Sequence, residues 1–282
     1  MTCSAPARPP GTSRGARAID VAFLARSVID ALHPAALVPV WGWVLVVAPL
    51  LEVTGEPAGG ILVAFAGLLA WGLVASRVGF KLRTCRAPSP VELARSVFRA
   101  LPDMILAPLG TSSAALIFLL LAAVGCLVGL IPVVGPVLAV VWLATGGLPL
   151  FLLGTYWLLL AAAALPLQVA ESTAGSGRTR MEIVAESLGK VRRAPLRLAV
   201  GWGIIGACAS GAAAVTAGGV LVAEALVDGS ASPRALETWA PWLAPPAGVP
   251  AGLVLAARLA PAVLVATLFA GSARLDALLE ED

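Results

Sequence analysis

The chain has 282 residues, of which 59% are hydrophobic and 12% are charged, with a net charge of +3 and a mean hydropathy of +0.95. Soluble domains carry about 25% charged residues, so this composition excludes a soluble globular protein and indicates a polytopic helical membrane protein. Apolar runs of span length recur along the whole chain, which also excludes a soluble enzyme held by a single anchor.

The first part of the chain predicts a tail, an amphipathic helix and two spans. Residues 1–16 are rich in Pro, Arg, Ser and Gly and show no hydrophobic periodicity, so we expect a disordered tail. Residues 17–33 form the amphipathic helix, with Asp30 on its polar side. Its apolar side consists of Val21, Leu24, Val28 and Leu32. Two spans are expected at about 35–53 and 58–76.

The middle of the chain repeats this order. Ser89, Pro90 and Glu92 have the spacing of a helix start, which predicts a second amphipathic helix ending near residue 103. A third span is expected at 109–131 and a fourth at 150–170. Prolines and glycines at 132–136 and 146–149 predict breaks between them, with the piece in between either re-entrant or a loop.

The last part opens with Thr179 and Glu182, a capping box that predicts a third amphipathic helix over residues 179–193. A fifth span at 198–223 is dominated by Gly, Ala and Ser, so we place it at the centre of the bundle. The sixth span is expected at 251–270, and residues 271–282 are interpreted as an acidic C-terminal tail.

The three amphipathic helices share a sequence frame. Leu-Ala-Arg-Ser-Val-x-x-Ala-Leu occupies residues 24–32 and 93–101, and a looser copy occupies 184–192. Lys and Arg are concentrated before the first span and in the segments after the second and fourth spans, which places these segments in the cytoplasm. The expected fold is an all-α integral membrane protein with six spans in three parallel repeats, at about 17–79, 88–170 and 178–270. Each repeat is an interfacial helix followed by a helical hairpin, and both termini lie on the cytoplasmic side of the inner membrane.

Patterns typical of catalysis are largely absent. His33 is the one histidine in the sequence, and the four cysteines lack metal-binding spacing. We therefore expect no enzymatic activity, no cofactor, no metal and no nucleic-acid partner. His33 is interpreted as an interfacial or C-terminal capping histidine, and Gln168 and Glu171 as groups at the membrane interface.

Arg258 is the first candidate contact residue, because an ionised group inside the sixth span requires a partner or water. It contacts an anion or a lipid headgroup, pairs with Glu224 or Glu52, or extends to the outer membrane surface. The other candidates for anion or lipid contact are arginines of the amphipathic helices: Arg95, Arg99, Arg192 and Arg193.

A family resemblance rests on one unit of the sequence. This unit begins Ala164-Leu165-Pro166-Leu167, passes through residues 182–187 and ends Arg193-Ala194-Pro195-Leu196-Arg197-Leu198. It resembles a group of uncharacterised six-span bacterial and archaeal membrane proteins that includes the membrane domain of some glycerophosphodiester phosphodiesterases. The resemblance implies the fold, without phosphodiesterase activity. Residues 129–136 are also similar to sulphate-permease-type proteins.

These observations predict a non-enzymatic inner-membrane protein that organises anionic lipid, a membrane-protein partner or a second copy of itself through its amphipathic helices. The alternative is a transporter or channel for a small anion or a lipid. Internal repeats, the interrupted region at 132–149 and Arg258 favour that alternative.

Overall fold

The structure is a computed structural model that describes residues 19–54, 56–131, 134–174, 178–227 and 251–280. All regular secondary structure in these residues is helical. The helices are α1 (Val21–Leu32), α2 (Pro34–Thr54), α3 (Glu56–Thr84), α4 (Pro90–Cys126), α5 (Gly135–Trp142), α6 (Leu148–Thr173), α7 (Arg180–Arg193), α8 (Pro195–Val227) and α9 (Ala251–Glu280). A short 3₁₀ turn follows α4. The predicted tail at 1–16 lies outside the described residues.

Several helices have the length and composition of membrane spans. Within the described residues these are α3, α4, α5 together with α6, α8 and α9. The pair α1 and α2, bent by 69°, adds a sixth if it is counted as one crossing. The predicted all-helical, multi-pass membrane protein agrees with this result. The three parallel repeats, the cytoplasmic termini and the choice of the inner membrane stay predictions.

Two predicted helix breaks are wrong. The second amphipathic helix and the third span form the single helix α4, which passes through Pro102 and Pro108. Further along, α5 continues through a π-helical turn at Leu143–Gly147 into α6, so residues 135–173 are neither a re-entrant piece nor a loop followed by a span. Each proline removes one backbone hydrogen bond, but membrane helices tolerate this loss where side chains and local π or 3₁₀ turns satisfy the freed groups.

The chain forms two compact units, one made of the residues up to Val97 together with those from Leu196 onward, and one made of Phe98–Pro195. In the first unit, α9 is more buried than α8, with 67% against 28% of the apolar window buried. The prediction that the fifth span is central is therefore wrong. In α9, Ala262, Ala266 and Ala270 are fully buried.

The end of α9 corrects a second interpretation. Residues 271–280, expected to be an acidic tail, are helical, and Ser272, Arg274 and Leu275 are buried. Glycines bring this end close to α8, because the Leu275 side chain lies on Gly201 and the Ile205 side chain lies on Gly271. The charged C-terminal segment is thus part of the core of the first unit.

The second unit leaves most of its apolar surface uncovered. Only 22% of the apolar window of α4 and 11% of the window shared by α5 and α6 are buried. Close contacts within the unit occur where glycine makes room, as where the Trp142 indole lies on Gly125 and donates to the Ala122 carbonyl oxygen at 3.3 Å. The remaining surface has the character of a face that contacts lipid.

Candidate functional site

α1 packs against the rest of the first unit through a face that contains both polar and apolar residues. Leu24, Ser27, Asp30 and Ala31 are buried, whereas Val21 and Leu32 remain 55% and 48% exposed. The predicted division into an apolar packed side and a polar solvated side is therefore only partly correct. In a membrane protein, apolar side chains can face lipid, and ionisable side chains instead turn towards the bundle and its partners.

Asp30 is the centre of a buried group of charges, which we call the Asp30 cluster (Asp30, Arg77, Lys81 and Arg274). The Lys81 Nζ donates to Asp30 Oδ1 at 2.7 Å. Arg274 donates to Asp30 Oδ2 from Nε at 2.9 Å and from Nη2 at 2.6 Å. Arg77 donates from Nη1 to the main-chain carbonyl oxygen of Asp30 at 3.3 Å. Direct charge-assisted hydrogen bonds offset the cost of burying this carboxylate.

Arg274 holds α1 at two points. Besides its pair with Asp30, it donates from Nη1 to the Phe23 carbonyl oxygen at 3.1 Å. Its guanidinium also lies over the Phe23 ring, 4.9 Å from the ring centroid. A planar guanidinium suits this combination of forked hydrogen bonding and stacking, which lysine would not reproduce. α9 thereby fixes both the start and the end of α1.

Aromatic contacts next to the Asp30 cluster join α3 to α9. The Trp71 ring stacks on Phe269 with centroids 4.8 Å apart, and the Trp71 indole donates to Ser272 Oγ at 3.1 Å. Trp43 of α2 lies 6.4 Å from the same Phe269 ring and donates to the Val63 carbonyl oxygen at 2.9 Å. Aromatic pairs of this kind add stability beyond their buried area, so the Asp30 cluster rests on a rigid support.

The second unit contains a comparable group, the Glu171 cluster (Glu171, Arg178, Glu186 and Lys190). The Lys190 Nζ lies 2.7 Å from Glu171 Oε1, and both side chains are buried. Arg178 pairs with Glu186 at 2.7 Å and lies 3.8 Å from Glu171 Oε2. These pairs fix α7 to the end of α6. Gln168 and Glu171, interpreted as groups at the membrane interface, are 0% and 1% exposed, so they contact protein and not solvent or lipid.

The predicted capping box at the start of α7 is present. Thr179 donates its backbone N–H to Glu182 Oε2 at 2.7 Å, and the Glu182 backbone N–H reaches Thr179 Oγ1 at 3.4 Å. Hydrogen bonding from the Thr179 backbone, followed by that from its side chain, holds the pKa of Glu182 below its ordinary value.

The two clusters match in the shared sequence frame. Asp30 and Lys190 occupy the same position of that frame, and both are buried and paired with a residue of a long helix. Ser27 and Ser187, three residues earlier, are both fully buried. The sign of the charge is reversed between the two copies. The middle copy differs, since its corresponding residue, Arg99, is exposed.

The residues predicted to contact anions lie outside both clusters. Arg95, Arg99, Arg192 and Arg193 are exposed, and Arg258 of α9 is partly exposed. The side chains of its suggested partners Glu52 and Glu224 fall outside the described part of the structure. His33 stands at the C-terminal cap position of α1, as predicted, but its side chain caps the start of α2, because its Nδ1 accepts the Ala35 backbone N–H at 3.2 Å.

The sequence did not indicate two of the most important cluster residues. Arg274 was assigned to a tail, and Asp30 to a solvated face. The available signals were the helical spacing of Leu275 and Leu279 around Arg274, and the opposite charges of Asp30 and Lys190 at one position of the shared frame.

Among the residues that the structure describes, no group of three or more His, Cys, Asp and Glu side chains could hold a metal ion. Comparisons with protein-family models, with curated proteins and with solved structures found no match. The resemblance to six-span membrane proteins therefore stays a prediction, and the functional interpretation depends on the residues themselves.

Proposed function

We propose that this multi-pass protein organises anionic lipid at the cytoplasmic face of the inner membrane, without catalysis, through the three segments that carry the shared frame. The observation that carries the proposal is that exposed apolar side chains and exposed arginines occur together in these segments. A membrane-protein partner, or a second copy of the chain, would use the same surface.

Each segment has both components. In α1, Ile29 is 68% exposed and Arg26 is exposed. At the start of α4, Phe98 is 67% exposed between the exposed Arg95 and Arg99. In and after α7, Met181 and Leu196 are 77% and 76% exposed and flank Arg192 and Arg193. Such segments suit the boundary between headgroups and acyl chains.

The expected energies are sufficient for lipid enrichment. Removing a large apolar side chain from water contributes about 1.5–3 kcal/mol. An arginine at an anionic leaflet contributes about 1 kcal/mol. The four exposed arginines of the second and third segments therefore contribute about 4 kcal/mol together. The Asp30 and Glu171 clusters support this arrangement, because they fix α1 and α7 through their buried faces and leave the exposed faces available to lipid.

The test is a double charge reversal, Arg95→Glu with Arg99→Glu. Losing two arginines removes about 2 kcal/mol of attraction, which corresponds to at least about thirtyfold weaker association with anionic lipid. Purified protein is reconstituted in phosphatidylcholine nanodiscs with a minor fraction of phosphatidylglycerol, and the lipid retained by the protein is counted by native mass spectrometry.

The matched control is Arg95→Lys with Arg99→Lys, which keeps the charge and should keep the enrichment. The substitution Phe98→Ser removes the apolar contact and should weaken enrichment on its own. Unchanged phosphatidylglycerol retention in the charge-reversed protein would contradict the proposal. Unchanged lipid retention together with loss of a copurifying protein would assign the surface to a partner instead.

A transporter for a small anion or a lipid is the second candidate, and one observation favours it. Gln168 is fully buried, and neither its Oε1 nor its Nε2 has a hydrogen-bond partner among the described residues. An unsatisfied buried amide costs about 1–3 kcal/mol, so a polar group that passes through the second unit would find a free donor and acceptor. Gln168 lies in α6, and the start of this helix follows a π-helical turn at Leu143–Gly147, a feature frequent at functional sites.

Anion efflux from proteoliposomes tests this candidate. Transport predicts that Gln168→Leu and Arg258→Ala abolish efflux, whereas Arg86→Ala at an exposed position leaves it intact. Under a purely structural role, Gln168→Leu increases stability, because it removes an unsatisfied amide, and efflux is absent from the unmodified protein as well.

A further inference from the structure

Arg77 carries a buried charge with little compensation. Arg77 is 6% exposed. Among the described residues, its hydrogen bond goes to a main-chain carbonyl oxygen, that of Asp30. Both carboxylate oxygens of Asp30 are already bound, Oδ1 by Lys81 and Oδ2 by Arg274. In the described structure, three cations therefore meet one carboxylate in the Asp30 cluster.

Among the described interactions, Asp30 is the carboxylate that acts on Arg77, whereas Asp276 and Glu280 of α9 act on Arg83. A guanidinium has five N–H donors, and a buried cation without a matching anion is strongly unfavourable. The arrangement thus favours an additional anion close to Arg77.

Lys81 and His33 provide further donors at the same place. Lys81 follows Arg77 by one helical turn, so both lie on one side of α3. The Lys81 Nζ has two N–H groups beyond the one bound to Asp30, and its side chain is 47% exposed. His33 is exposed, and both Arg77 and Lys81 interact with it electrostatically. Because its Nδ1 accepts the Ala35 N–H, the neutral ring carries its proton on Nε2.

The corner between α1 and α2 is where these donors lie. α2 begins at Pro34, directly after His33. Its first backbone N–H groups are already bound, because that of Ala35 donates to His33 Nδ1 and those of Ala36 and Leu37 donate to the His33 carbonyl oxygen. The donors that remain at this corner are therefore a guanidinium, an ammonium and an imidazole N–H, and Lys81 and His33 keep it open to solvent.

We propose that Arg77, Lys81 and His33 bind a phosphate group at the corner between α1 and α2, supplied by a lipid headgroup or by inorganic phosphate. Phosphate has several acceptor oxygens and matches the forked donors of a guanidinium, so it can occupy all three side chains at once. The lipid source rests on the proposed function, which places these residues at a membrane surface; the inorganic source does not.

Binding is measured on the full-length protein in nanodiscs in two arms. One arm counts phosphatidylglycerol retained from mixed nanodiscs by native mass spectrometry. The other titrates inorganic phosphate into protein held in phosphatidylcholine nanodiscs and follows it by calorimetry. We expect saturable binding in at least one arm, and the arm that saturates identifies the source.

The variants distinguish specific binding through Arg77 from nonspecific attraction by basic residues. Loss of one charge-assisted contact should weaken binding about tenfold in Arg77→Gln and in Lys81→Gln, with a smaller loss in His33→Gln. The matched control is Arg86→Gln, which removes an exposed arginine just beyond α3 and should bind like the unmodified protein. If Arg77→Gln fails to fold, phosphate binding by the Lys81 and His33 variants tests the proposed site instead.

Absence of saturable binding in both arms would overturn the inference, and so would binding in all three variants equal to that of Arg86→Gln. The variant reversed at Arg95 and Arg99 separates this result from the proposed function. If it loses lipid enrichment while Arg77→Gln keeps both lipid enrichment and inorganic phosphate binding, the phosphate site is wrong and the proposed function stands. If inorganic phosphate binds through Arg77 while the reversed variant keeps its lipid, the proposed function is wrong and the phosphate site stands.

Discussion

Neutralising Asp30 is the most informative perturbation of the fold. The substitution Asp30→Asn keeps the shape of the side chain and removes its charge, which leaves buried cations without a counterion. The Arg274 side chain is 5% exposed, and breaking a buried pair of this kind costs about 3–5 kcal/mol. The Lys81 side chain is 47% exposed, so its pair contributes about 0–1 kcal/mol. The expected loss of unfolding free energy is therefore about 3 kcal/mol or more.

Unfolding in mixed micelles with increasing dodecyl sulphate, followed by tryptophan fluorescence, measures this loss. Trp71 reports on the same part of the first unit, because it donates to Ser272 of α9. Arg274→Gln should cost about as much as Asp30→Asn, and Lys81→Gln much less. In the double variant Asp30→Asn with Arg274→Gln, the losses should fall short of additivity by about 1–3 kcal/mol. A loss below about 1 kcal/mol in Asp30→Asn, or full additivity in the double variant, would refute the reasoning.

Three further outcomes test other parts of the structure. Gly271→Ala should lose about 1–3 kcal/mol because its methyl group meets a side chain of α8, whereas Gly203→Ala, which faces open space, should be neutral or gain up to about 1 kcal/mol; equal effects in the same titration would contradict the packing. Trp71→Phe keeps the stacked ring and loses one hydrogen bond, so it should cost about 1 kcal/mol, and a loss as large as that of Trp71→Ala would contradict this. The depressed pKa of Glu182 stabilises the start of α7 above the ordinary glutamate pKa, and this stabilisation is lost as the pH falls through the depressed value. Amide protection in the first turn of α7 should therefore decrease in acid, and Glu182→Gln should abolish that pH dependence.

The sequence predicted the helices better than their ends. Apolar runs located all the long helices, and the capping patterns at Ser89 and Thr179 formed as expected, with the Ser89 backbone N–H donating to Glu92 at 2.7 Å. Proline was the main source of error, because the rule that it ends a helix comes from soluble proteins. In α4, Pro102 lies within a continuous helix, since membrane helices can satisfy the freed groups locally.

The candidate site was harder to predict because its residues are distant in sequence. Asp30 and Arg274 are 244 positions apart, and neither segment alone shows that it will meet the other. The amphipathic pattern of α1 did not show which face meets the protein, because the buried face takes Leu24 from the apolar side and Asp30 from the polar side. Lipid accepts the apolar residues that are left outside this face. The charged residues in the last turns of α9 also led to the wrong prediction of a solvated tail.

Because its first helix is tied to its last, the first unit must be completed in a particular order during synthesis. Asp30 leaves the ribosome early, and Arg274 follows roughly 10–50 seconds later at ordinary elongation rates. Lys81, 51 residues after Asp30, is the earlier counterion. The whole of the second unit emerges in that interval, and its pair of Glu171 with Lys190 spans only 19 residues. Insertion of the final helix is therefore the step that supplies the donors to Asp30 Oδ2 and ties α1 to α9, and a nascent chain stalled before that step would hold α1 through Lys81 and Arg77 alone.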